Sequence, residues 1–184
     1  MGTDTHGHSA SLGAPVITFV DLEIDRDVHV AIAVGDNFSR QKMAESYRNR
    51  FTQFIFPPLI HQSSVVDPTA QIEEGCVVMP QASIGPNTQV GKFCIVNTAA
   101  SIDHDCLLNS YSSLAPGVRL GGSVTVGERS AVCLGAGVRH KTVIGSDTVL
   151  GGGSYLNDHL PSGVTAYGVP AKVIRKRLPE DPYL

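Results

Sequence analysis

The chain is expected to be mainly β, a parallel β-helix of six-residue repeats, and three observations lead there. An aliphatic side chain recurs at every sixth position, from Ile60, Val66, Ile72, Val78 and Ile84 through Val132, Val138, Ile144 and Leu150 to Leu156. Four residues after nearly every member sits a small one, among them Ala82, Thr88, Cys94, Ala100, Cys106, Ala136 and Ser154. Neither a 3.6-residue helix nor simple alternation gives this spacing; short strands and turns coiled into a stack do. Three hexads make one triangular coil, so residues eighteen apart lie above one another. The aliphatic position points inward because a hexad cannot bury its apolar face without the coils above and below. The glycines at 85, 91, 121, 127, 145 and 151 are read as turn residues that supply backbone freedom.

The period divides the chain. Residues 1–58 are read as a small α/β unit. Within it, VITFVD (16–21) and VHVAIAVGDN (28–37) read as strands, residues 38–50 as a helix capped by Asn37, and FIFPPLIH (54–61) as a third extended run. The β-helix occupies 59–160. The last part, 161–184, leaves the period, and its basic run AKVIRKR (171–177) is read as a short helix. Residues 1–15, polar and without period, are expected to be mobile.

Composition narrows the function. A formal net charge of −3 and a pI near 6.1 argue against a general nucleic-acid binder. No apolar run is long enough to span a membrane and no secretion signal is apparent, so the cytoplasm is the expected location. The four cysteines (Cys76, Cys94, Cys106 and Cys133) match no metal or redox spacing and are expected to be reduced packing residues.

The chemically loaded stretch is VNTAASIDHDC (96–106). Asp103, His104 and Asp105 directly follow the inward Ile102, at outward-facing turn positions. An imidazole flanked by carboxylates is a candidate general base, since the neighbouring carboxylate orients the ring and stabilises the imidazolium. Exposed Asp-His-Asp turns are also common without any role. His61, His140 and His159 read as structural or solvated residues.

With the ladder, the segments GDNFSRQK (35–42), NTAASIDHDC (97–106), APGVRLGGSVTVG (115–127), LGGGS (150–154) and GVPAK (168–172) resemble the bacterial left-handed β-helix acetyltransferases. The nearest group acetylates nucleotide-linked 4-amino sugars for surface glycan biosynthesis, with sialic acid O-acetyltransferases as relatives. The resemblance implies a left-handed coil, a homotrimer, acetyl-CoA as co-substrate, a small-molecule sugar acceptor and no metal. It implies His104 as general base and Asp105 as its acidic partner. Asn97, Asp21 and Gly35 fall at acceptor positions. Ser113, Gly122, Leu134, Gly152 and Lys172 fall along the acetyl-CoA path, with the Gly122 N–H facing the thioester oxygen and Lys172, Arg175 and Lys176 near the phosphates. Two departures stand out. Ser113 replaces a second family histidine, and GTDTHG (2–7) stands where the family has a Gly-x-x-Gly-His turn after a strand, so the acceptor unit reads as truncated.

Other readings remain open on the residues alone. An O-acetyltransferase would use the same base. A zinc carbonic anhydrase on this scaffold needs histidines one coil apart, yet Pro86 and Gly122 flank His104 in the stack. A non-catalytic trimeric scaffold is the third.

Overall fold

In the computed structural model, residues 26–183 are described together with the backbone of a short antiparallel pair, Ala10–Ser11 and Ala14–Pro15. The strand expected at 16–21, the candidate Asp21 and the GTDTHG turn lie outside the described residues.

From Leu59 the chain winds into a three-faced column of two-residue strands. The first face stacks Leu59–Ile60, Val77–Val78, Ile95–Val96, Ser113–Leu114, Ala131–Val132 and Val149–Leu150. The second runs from Val65–Val66 through Ser101–Ile102 to Tyr155–Leu156, and the third from Gln71–Ile72 through Leu107–Leu108 to Val143–Ile144. From Leu59 to Leu156 the pairings between coils are parallel and in an eighteen-residue register, such as Ser101↔Arg119 and Leu107↔Thr125. The aliphatic ladder fills the prism: Val78, Val96, Leu108, Leu114, Val126 and Ile144 are each at most 1% exposed. Ile60, in the first coil, with no described strand beneath it, is 47% exposed.

The turns are built differently from the expectation. From Ile72 to Leu150 the left-handed backbone position falls three residues after each aliphatic one, and most of its occupants carry side chains: Gln81, Asn87, Phe93, Ala99, Asp105, Tyr111, Ser123, Arg129, Lys141 and Asp147 all have φ between 55° and 61°. The glycines at 85, 121, 127 and 145 are needed for closeness instead, because a Cβ there would strike the backbone of the next coil.

The column closes at its top with Val164–Gly168, parallel to Val149–Leu150, and then Ala171–Lys176, antiparallel to it. The basic run is therefore a strand and not the expected short helix. Val173 and Ile174 favour extended backbone, and the open edge of the first face supplies the hydrogen bonds a solitary helix of that length lacks.

Residues 26–58 form strand Val28–His29, helix α1 (Asn37–Arg50) and strand Phe54–Ile55, the two strands parallel. VHVAIAVGDN is strand only at its start, Val28–His29. Asp36, and not Asn37, caps α1, accepting the Ser39 N–H at 2.8 Å. Asn37 instead turns inward and donates its amide to the Arg129 and Ser130 carbonyls, both at 3.1 Å.

This unit is held to one corner of the column by a buried cation. Arg40, 1% exposed, donates to the carbonyls of Phe93 (2.8 Å), Val34 and Gly35 (both 2.9 Å), and Tyr111 (2.9 Å), and to Asn37 Oδ1 at 2.6 Å. Burial lowers its pKa from the usual arginine value. Phe56 packs edge-on against Phe93, whose ring stacks on Tyr111 at 5.5 Å.

Candidate functional site

The turn after Ile102 carries the candidate base on a rigid corner. Asp103 accepts the His104 backbone N–H at 2.9 Å, which fixes the start of the turn. Asp105, in the left-handed conformation, brings its carboxylate back to the ring, with Oδ2 2.7 Å from His104 Nδ1. Its other oxygen accepts the Asn87 amide from the coil below at 3.2 Å. The hydrogen bond from Asp105 raises the His104 pKa above the usual histidine value; the bonds from His104 and then Asn87 lower that of Asp105. With Nδ1 turned to a carboxylate, Nε2 is left to accept a proton. That nitrogen lies directly against Gly122, eighteen residues on, where a Cβ would collide with it.

A second group of candidates gathers elsewhere. Gly35, Asn97 and Ser113 line one pocket on the first face, with Ile95, Ala115, Ala131, Cys133 and Tyr183. Asn97 Oδ1 accepts the Thr98 N–H at 2.7 Å, which leaves its amide nitrogen for a ligand. Leu134 is 64% exposed, and its carbonyl lies 3.3 Å from where a Cβ on Gly152 would stand. These two residues thus form a third, adjoining patch at the edge of the first face. Lys172 is exposed on the final strand, while Arg175 is engaged with Asp181 at 3.3 Å.

Within one chain the His104 corner and the Asn97–Ser113 pocket are not together: the second face, with Ser101–Ile102, runs between them. Sequence reasoning did not single out Asn87, Arg40 or Tyr183. Asn87 was findable as the residue eighteen before Asp105; the other two carry no periodic signal.

Cys76, Cys94 and Cys106 are buried free thiols. A hydrogen bond with Cys94, together with burial, pushes the Cys76 thiol pKa up. Among the described residues no three His, Cys, Asp or Glu side chains are grouped to hold a metal ion, and no helix is long and apolar enough to cross a membrane.

No protein-family profile matches the chain. Solved structures do. Perosamine N-acetyltransferase from Caulobacter crescentus, in a histidine-to-asparagine form in complex with CoA and GDP-perosamine, is 34% identical; the match covers 95% of this chain and 84% of that one, with a TM-score of 0.86. The acetyltransferase domain of PglB from Neisseria gonorrhoeae FA1090, in complex with acetyl coenzyme A, is 35% identical over 94% of this chain and 84% of that one, also at 0.86. GDP-perosamine N-acetyltransferase of Escherichia coli O157:H7 is 27% identical over 150 residues, 79% of this chain and 67% of that protein. With a left-handed column of hexapeptide coils shared over nearly its whole length at more than a third identity, the chain belongs to the β-helix acetyltransferases that N-acetylate nucleotide-linked amino sugars.

Proposed function

We propose that the chain transfers acetyl from acetyl-CoA to the amine of a nucleotide-linked amino sugar of the GDP-perosamine kind, with His104 as general base. The observation that carries this reading is the Asn87–Asp105–His104 chain of hydrogen bonds, which holds Nε2 against the bare backbone of Gly122. His104 takes the proton from the amine as the new C–N bond forms and the thioester C–S bond breaks, then returns it to the departing sulfur. Among the described residues the Gly122 N–H donates to no backbone carbonyl, so it is available to the developing oxyanion. Asp105 keeps the ring in the working tautomer and stabilises its cation.

The separation of the two residue groups supports a site shared between copies. The His104 corner of one chain would meet the pocket face of its neighbour in a homotrimer, and Leu134 and Gly152 would flank the pantetheine arm. Lys172 would sit near the phosphates, and residues 1–58 would hold the acceptor, with Asp21 and Gly35 among its contacts. The cytoplasm, where acetyl-CoA and nucleotide sugars meet, is the location this chemistry asks for.

The test is turnover with nucleotide-linked amino sugars by His104→Ala and Asn97→Ala proteins, alone and co-assembled. His104→Ala is expected to lose turnover with an unchanged melting temperature, and co-assembled mixtures to regain a fraction of wild-type activity. An active His104→Ala protein removes that residue from the mechanism. No rescue in verified mixed trimers removes the shared site.

A further inference from the structure

The last described turn of the chain returns to the pocket that holds two of the acceptor-side candidates, Gly35 and Asn97, beside Ser113. Leu178 donates its N–H to Asp181 Oδ2 at 3.0 Å, and the Leu178 carbonyl accepts the Asp181 N–H at 3.1 Å, which closes a tight turn. Arg177, 6% exposed, ties that turn to the column. It donates to the Asp147 carbonyl at 2.8 Å and to the Asp181 carbonyl at 2.5 Å, and its guanidinium lies 5.6 Å from the centre of the Tyr183 ring. The Tyr183 hydroxyl accepts the Asn37 N–H at the start of α1 at 3.0 Å and also meets the Ser113 side chain. Three separated parts of the chain therefore place one aromatic ring at the pocket wall.

The pocket's chemistry says what such a ring would face. Its floor is aliphatic, from Ile95, Ala115 and Ala131, and its polar side chains are the Asn97 amide and the Ser113 hydroxyl. No cationic side chain lines it, so a phosphate has no partner there. At about 100 Å³ it holds one edge of a small ring and not a whole nucleotide. A pyranose fits that description, its C–H face against the aromatic wall and its hydroxyls toward Asn97 and Ser113.

We infer that Tyr183 is a positioning and specificity residue for the acceptor, forming the wall against which the sugar ring lies. The inference rests on the acetyltransferase reading above and adds a residue to it. Tyr183→Ala should raise KM for the nucleotide-linked amino sugar by about tenfold while the KM for acetyl-CoA stays within about twofold. Tyr183→Phe keeps the ring but gives up the Asn37 N–H, so it should fall between wild type and Tyr183→Ala. Equal shifts in both KM values, or none, overturn the inference.

Cys133, the partly accessible thiol in the same pocket, gives a readout independent of turnover. Its alkylation by iodoacetamide should be slowed by GDP-linked amino sugar in the wild type and much less in Tyr183→Ala. Equal protection in both proteins overturns the role of Tyr183. Absence of turnover in the wild type, with Tyr183-dependent protection retained, would instead count against the transferase reading alone.

Discussion

The imidazole of His104 lies against Gly122, one coil above it, so closely that a Cβ at position 122 would collide with Nε2. Gly122 has no left-handed backbone angle to explain its choice. It leaves the space that the His104 ring fills.

Gly122→Ala is therefore expected to displace the ring without disturbing the column. Turnover should fall by roughly 10²-fold, the scale of a misplaced catalytic group, while thermal unfolding matches wild type. A fully active Gly122→Ala protein would show that the ring has another working position.

The pH profile follows from the Asp105 hydrogen bond. In the proposed mechanism neutral His104 is the working form, and its pKa is held above the ordinary 6.5 chiefly by that bond. Activity should rise with pH through this raised value. Asp105→Asn removes the main cause, so the acidic limb should move to lower pH, with kcat reduced by roughly 10²-fold. For stability the signs differ. The raised pKa of His104 contributes below about pH 6.5 and is lost as pH climbs through its folded value, and the lowered pKa of Asp105 contributes above about pH 3.9 and is lost as pH falls through its own. The pair is fully present between the two unfolded values.

Arg40 is expected to be the most sensitive residue outside the column. Arg40→Met leaves the carbonyls of Phe93, Tyr111, Val34 and Gly35 without their donor. Urea unfolding should register a loss of about 3–5 kcal/mol. Arg40→Lys should recover little, because one ammonium cannot reach all these acceptors.

Two glycines share a backbone angle but not surroundings. Gly75 (φ 68°) lies against the Phe93 ring, whereas around Gly117 (φ 70°) there is open space. Gly117→Ala should cost about 1 kcal/mol from the left-handed strain alone. Gly75→Ala adds a clash in a packed cluster and should cost about 2–4 kcal/mol. Equal losses in chemical denaturation would show that the Phe93 ring gives way freely.

The one-letter string already contained the prism, its three faces and the eighteen-residue register, because in a solenoid each residue's neighbours stand at a fixed separation along the chain. That register alone puts Asn87 below Asp105 and Gly122 above His104, so the chemistry of this corner was legible from Ile102–Asp105 and the hexads around them. Folding in space decided what no period encodes. Arg40 meets Phe93 and Tyr111 across 53 and 71 residues, and Tyr183 meets Asn37 across 146. The strand at Ala171–Lys176 exists because an unpaired sheet edge waited beside it. These contacts join segments with no repeat in common, and only packing, through buried carbonyls that need a donor and an edge that needs a strand, selects them.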